Sequence, residues 1–129
     1  MNKPKNTICT IPWNHQATYQ NGDYGICCQC IYTSGGRMLT DGKPVNVLRD
    51  DFTEVRNHPT LIELRRSMLN GEKSDLCKLC WDEEDLGLVS KRQQQQHTYH
   101  ETLQKILDLK EDSGYIDVNE FPIQYLDLR

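Results

Sequence analysis

This sequence has no long hydrophobic run, no block of basic residues and no apolar segment near its start. A transmembrane helix needs about 18 or more consecutive apolar residues, so no membrane role is expected. The first 12 residues lack the apolar segment of a secretory signal, which predicts a cytoplasmic protein. A net charge of −4 also makes a nucleic-acid partner unexpected, because such binding depends on basic surfaces.

Apolar residues are also scarce, at 36% of the 129 residues. This length suits one small domain rather than two. Two Trp, six Tyr and two Phe still require burial, so the composition does not indicate disorder. The sequence predicts a folded domain with a thin core that would gain from an additional cross-link.

Cysteines are the informative residues, and they fall in three well-separated stretches. They are Cys9, Cys27, Cys28, Cys30, Cys77 and Cys80. An even number permits a disulfide framework, but the expected compartment is reducing. In the cytosol, cysteine clusters more often hold a metal or carry out redox chemistry, so these functions are favoured over disulfides.

A four-cysteine zinc site is one reading of this pattern. Cys27 with Cys30, and Cys77 with Cys80, form two C-x-x-C pairs, which is the formula of a zinc ribbon. The pairs are 46 residues apart, against about 15–20 in the usual zinc spacing. Such a ribbon would also leave two cysteines unused.

A 4Fe–4S cluster is the other reading, because it takes four thiolates and accepts them from distant segments. Cys9, one cysteine of residues 27–30, Cys77 and Cys80 would supply them and join all three stretches. Cysteines that do not ligate are expected to be ordinary small buried residues.

Two further chemistries are less favoured. A C-x-x-C dithiol of the thioredoxin type requires a βαβ unit, and the sequence pattern contains none. His97 and His100 could supply a metal ligand, but a solvated surface pair on a helix is the simpler expectation.

The pattern of elements predicts an α+β fold that begins with a β-hairpin. Residues 13–30 contain Asn21-Gly22, a strong hairpin signal because both residues tolerate positive φ. Residues 33–46 carry two more turn signals, which favour a short connection or a second small hairpin.

Helices are predicted after the hairpins. One begins near Pro59, with Asn57 or His58 as its cap, and ends at Asn70-Gly71, with Arg65 and Arg66 off its apolar face. Another opens with the acidic string of residues 81–85, which complements a helix N-terminus. An apolar stripe then continues to about residue 109, in one helix or two.

A C-terminal strand is predicted over residues 122–129, where apolar and polar residues alternate. The cysteine-rich domain is assigned to residues 1–110, and residues 111–129 are assigned to a linker and this strand.

The cysteine spacing resembles the SPASM/twitch auxiliary-cluster domain of radical SAM proteins. The motif of that family begins with a cysteine, followed by nine to fifteen residues, a glycine, four residues and a second cysteine. Cys9, Gly22 and Cys27 match this spacing. Its second half begins with C-x-x-C, as at Cys77 and Cys80. No cysteine follows these two, which corresponds to the shorter twitch form with one cluster. Flanking residues also look familiar: Ile11-Pro12-Trp13, Cys27-Cys28, Leu64-Arg65, Cys80-Trp81, Glu84, Ser90 and Arg92.

The resemblance implies a small domain centred on one 4Fe–4S cluster, held by Cys9, Cys27, Cys77 and Cys80. In relatives, a strand like residues 125–129 leads into the radical SAM barrel, whose C-x-x-x-C-x-x-C motif is absent here. The chain is therefore expected to be part of an enzyme rather than a complete one. A radical SAM core, downstream in cis or on a separate chain, would be its partner. Electron transfer, or positioning of a peptide or small-molecule substrate, would be its function.

Overall fold

The computed structural model describes residues 5–27 and 36–128. This part of the chain has the predicted α+β fold, with short helices and two small sheets. The helices are α1 (Ile11–Asn14), α2 (Phe52–Val55), α3 (Pro59–Leu69), α4 (Lys78–Asp85), α5 (Lys91–Thr98) and α6 (His100–Leu107), and 3-10 turns cover Lys5–Thr7 and Asp75–Cys77. The strands are β1 (His15–Thr18), β2 (Tyr24–Gly25), β3 (Leu39–Thr40), β4 (Lys43–Pro44) and β5 (Tyr125–Leu128).

The N-terminal hairpin is confirmed, with β1 and β2 antiparallel. Its turn contains Gly22 at φ +89, a left-handed conformation that glycine adopts without strain. The predicted hairpin began too early, since residues 11–14 form a short helix instead. Pro12 in the first turn of that helix favours this conformation. Residues 28–30 of the predicted hairpin lie outside the described residues.

The C-terminal strand is also present, and it pairs parallel to the hairpin. β5 lies beside β1 with His15 opposite Tyr125, giving the sheet order β2-β1-β5. Just before this strand, the Gln124 N–H donates to the Asn14 carbonyl at 2.8 Å. Residues from both ends of the chain therefore meet in one sheet.

A second small hairpin, one of the two alternatives for residues 33–46, forms from β3 and β4. Asp41 and Gly42 both have positive φ at its turn, which matches the hairpin twist. Residues 33–35 lie outside the described residues.

Helix α3 follows its prediction closely, with one correction. His58 is the N-cap, since its side chain accepts from the Thr60 N–H. Gly71 has φ +80 beyond the C-terminal end. Arg65 was predicted to lie off the buried face, yet it is fully buried, whereas Arg66 is exposed. The Arg65 guanidinium donates to backbone carbonyl oxygens of Pro12 in α1 and of Gly114, which makes its burial possible.

The prediction for the acidic string was wrong. Helix α4 begins at Lys78, so the acids of residues 82–85 lie in its second half rather than in its first turn. Ser74 caps a 3-10 turn over Asp75–Cys77, and the helix continues directly from that turn. The chain after Gly87 then forms two helices, α5 and α6, separated at Tyr99.

One hydrophobic core joins the hairpin, α3, α6 and the segment before β5. Its buried aliphatic and aromatic members are Ile8, Ile11, Trp13, Tyr24, Ile26, Met38, Val45, Val55, Leu61, Leu64, Met68, Leu69, Leu103, Ile106, Ile116 and Phe121. Within the described ranges, no helix has both the length and the apolar character needed to cross a bilayer.

Candidate metal centre

Four cysteines from three stretches of the chain line one cavity of about 330 Å³. They are the predicted ligands Cys9, Cys27, Cys77 and Cys80, all without disulfide bonds. The rest of the wall is largely apolar: Ile11, Pro12, Ile26, Leu64, Met68, Leu76 and Leu79. Charged residues complete the lining: Asp75, Lys78, Lys91 and Arg92. The fold thus gathers thiols that are far apart in sequence.

Cys9 lies between the first 3-10 turn and α1, and its neighbours are tied to helices from later in the chain. Thr7 Oγ1 donates to a carbonyl in the last turn of α3 at 2.8 Å. The Ile8 carbonyl accepts from Gln96 Nε2 at 2.7 Å and from Arg92 Nη1 at 3.2 Å, both in α5. These bonds hold Cys9 against the cavity, where it is buried.

Cys27 reaches the cavity from the hairpin. It follows β2 and is half-buried, and the preceding Ile26 N–H donates to the Gly36 carbonyl at 2.8 Å. Cys28 and Cys30 lie outside the described residues. The choice of Cys27 among these three cysteines therefore stays a prediction.

Cys77 and Cys80 lie where the second 3-10 turn passes into α4. Ser74 Oγ accepts from the Leu76 N–H at 3.2 Å and caps this turn. Trp81 Nε1 donates to the Ser74 carbonyl at 2.8 Å, which fixes the helix against the turn. Residues three apart on a helical turn share a face, so the C-x-x-C spacing presents both cysteines to the cavity.

Burial raises the pKa of three of these thiols. The pKa of Cys9 lies well above its usual 9.0, mainly because the side chain is desolvated. Desolvation likewise raises the pKa of Cys77 to about 12 and also raises that of Cys80. Repulsion between the charged forms of the cysteines adds to each shift. Cys9, Cys77 and Cys80 are therefore protonated at neutral pH.

Two backbone N–H groups point at cysteine sulfurs. Burial dominates at both sites, but hydrogen bonds from Ile11 to Cys9 and from Arg92 to Cys80 lower the respective pKa values. Such bonds stabilise the thiolate form, and in iron–sulfur proteins hydrogen bonds to sulfur also tune the reduction potential.

An arginine–carboxylate pair joins α4 to α5 beside the cavity. Arg92 donates from Nε and Nη2 to the two oxygens of Glu84, at 2.9 and 2.6 Å. Ser90 Oγ donates to the same carboxylate at 2.6 Å and caps α5. Burial alone would raise the pKa of Glu84, but these hydrogen bonds hold it below its usual 4.5. The carboxylate is therefore ionised at neutral pH and fixes the start of α5 to the helix that carries Cys80.

Within residues 5–27 and 36–128, no group of three or more His, Cys, Asp or Glu side chains is arranged to hold a metal ion. The four cysteines are related instead by the cavity that they share. His97 and His100 are both exposed, which agrees with the expected surface pair, although they lie on different helices.

The basic residues of the lining were not among the predicted site residues. No spacing rule marks Lys78 or Lys91 as part of a site, and Arg92 stood out only as a flanking residue of the family resemblance. The backbone donor at Ile11 has no sequence signal at all, because any residue except proline supplies an N–H.

Comparison with known proteins gives no match to a family model, to a curated protein or to a solved structure. A functional proposal for this chain therefore depends on the cysteine cavity and on the spacing of its motifs.

Proposed function

We propose that this chain binds one 4Fe–4S cluster through Cys9, Cys27, Cys77 and Cys80. The observation that carries the proposal is that these four thiols, spread over residues 9–80, line a single cavity. Four thiolates are the donor set of such clusters, and the ligands need not be close in sequence.

The surroundings of the thiols fit this group. Apolar side chains of α1, α3 and the second 3-10 turn line much of the cavity. Backbone N–H groups of Ile11 and Arg92 are placed to stabilise thiolates at Cys9 and Cys80. Burial and exclusion of solvent are among the means by which a protein sets the potential of a cluster.

The bound cluster would supply one-electron transfer. With one thiolate on each iron, no iron position is left for a substrate, which favours electron transfer over substrate coordination. The resemblance in cysteine spacing supports the more specific proposal of a twitch-type auxiliary domain. A radical SAM core, in cis or in trans, would then be the partner and would act on a peptide or small molecule.

Anaerobic reconstitution with iron and sulfide tests the proposal. We expect brown protein with broad absorption near about 400 nm and roughly four irons per chain, as for a cluster held by four thiolates. Iron near zero with one zinc per chain would support the alternative, a structural four-cysteine zinc module for protein interaction.

Substitution of the C-x-x-C pair provides the next test. Cys77→Ala and Cys80→Ala should each abolish cluster binding and loosen the fold, because metal binding and folding are coupled. Iron content and thermal unfolding would be measured in parallel. Full cluster content in both variants would contradict the assignment.

A further inference from the structure

The charges of Arg92 and Glu84 act on the cysteine cavity with opposite signs. Arg92 lines the cavity, and its backbone N–H bonds to the Cys80 sulfur. Arg92 donates from Nε and Nη2 to the two oxygens of Glu84, at 2.9 and 2.6 Å, and Glu84 lies one helical turn after Cys80 on α4. A positive and a negative charge therefore lie beside the cavity wall that carries Cys80.

Solvent screens this pair weakly. The side chains are 5% exposed at Arg92 and 18% exposed at Glu84. By contrast, Lys78, another charged residue of the lining, pairs at 2.7 Å with Asp82, and both side chains are more than half exposed. Exposed pairs are strongly screened, whereas buried charges keep most of their effect. The Arg92–Glu84 pair is thus better placed than the Lys78–Asp82 pair to influence a group in the cavity.

We propose that Arg92 and Glu84 set the reduction potential of the cluster by opposing effects, Arg92 raising it and Glu84 lowering it. This inference rests on the proposed function. Reduction adds one electron from an external one-electron donor and makes or breaks no bond. A guanidinium nearby stabilises the added negative charge, and a carboxylate nearby opposes it. Both residues act on the potential through their charges, and neither binds iron.

The test is a potentiometric titration of the reconstituted full chain, followed by electron paramagnetic resonance, with dithionite as reductant and dye mediators. Arg92→Gln should lower the midpoint potential, and Glu84→Gln should raise it. Arg92→Lys, which keeps the charge but loses the two-pronged contact, should shift it less than Arg92→Gln. The double variant should return toward the parental value. Arg66→Gln, on the exposed side of α3, is the matched control and should leave the potential unchanged.

Opposite shifts in the two single variants would support the inference. Shifts of the same sign would overturn it, because a purely structural loosening lets water into the cavity in both cases. No shift in either variant would also overturn it. If Arg92→Gln does not fold, Glu84→Gln alone tests the inference, because its amide oxygen still accepts hydrogen bonds from Arg92 and Ser90. An unchanged or lower midpoint potential in Glu84→Gln would then overturn the inference. Parental protein that takes up no iron–sulfur cluster would refute the proposed function itself, which separates the two failures.

Discussion

Arg65 Nη1 donates to the carbonyl oxygen of Gly114 at 2.9 Å, across 49 residues of chain. Its Nε donates to the Pro12 carbonyl at 2.8 Å, and its Nη2 donates to the Arg56 carbonyl. Desolvation, with the nearby charge of Arg56, lowers the pKa of Arg65 to about 9, which still leaves it charged at neutral pH. One buried guanidinium therefore joins α3 to the cavity wall at Pro12 and to the segment before β5.

Replacing this side chain should destabilise the fold strongly. Arg65→Ala leaves several buried carbonyls without a donor, and we expect a loss of about 3 kcal/mol or more in the free energy of unfolding. Arg66→Ala, on the exposed side of the same helix, is the matched control and should stay within about 0.5 kcal/mol. Urea unfolding of both variants measures the difference. Similar losses in the two would contradict the structural assignment of Arg65.

Gly114 should tolerate no side chain. It has φ +88, and a Cβ built there would clash with the Ile62 carbonyl oxygen. Gly87 has φ +80 but no atom within 4 Å of the same position. Gly87→Ala should therefore cost about 1–2 kcal/mol from backbone strain alone, and Gly114→Ala should cost clearly more. Unfolding midpoints of the two variants measure their losses of stability. Equal losses would mean that the close approach of Gly114 to Ile62 is absent.

His58 should make the stability depend on pH. Its Nδ1 accepts from the Thr60 N–H at 3.1 Å to cap α3, and its Nε2 lies 3.0 Å from Thr40 Oγ1. Burial lowers the pKa of His58 below its usual 6.5. The folded state thus prefers the neutral ring, so this contribution is complete above pH 6.5 and is lost as the pH falls below that value.

His58→Asn tests this linkage. Asparagine keeps an N-cap acceptor but does not titrate, so the variant should lose less stability than the parent between about pH 8 and about pH 5. Thermal midpoints at both pH values measure it. The same loss in parent and variant would show that other groups cause the pH dependence.

Local signals made several elements predictable. The Asn21-Gly22 turn, the α3 cap and stop, and the alternation before the C-terminus each depend on neighbouring residues. The predicted start of α4 was wrong because the acidic string does not begin the helix, which instead continues from a 3-10 turn capped by Ser74. Pro12 could have indicated α1, since proline favours the first turn of a helix.

Features that depend on distant residues were not predictable. The parallel pairing of β5 with β1 and the burial of Arg65 both require partners supplied by remote segments. Unlike these features, the grouping of the cysteines could be predicted, because few chemistries use four thiols. That restriction allowed Cys9, Cys77 and Cys80 to be grouped from spacing alone, and the cavity contains all three.

The iron content of Cys9→Ser, compared with that of Cys30→Ser, decides between a 4Fe–4S cluster and a zinc site in this cavity. Cys9 belongs to the iron–sulfur assignment only, whereas Cys30 is a ligand in the zinc assignment and enters the iron–sulfur assignment only if it replaces Cys27. If Cys9 and Cys27 are ligands of a 4Fe–4S cluster, reconstituted Cys9→Ser loses its cluster while Cys30→Ser keeps roughly four irons per chain. Retention of metal in Cys9→Ser as one zinc per chain, with its loss in Cys30→Ser, would contradict the iron–sulfur assignment.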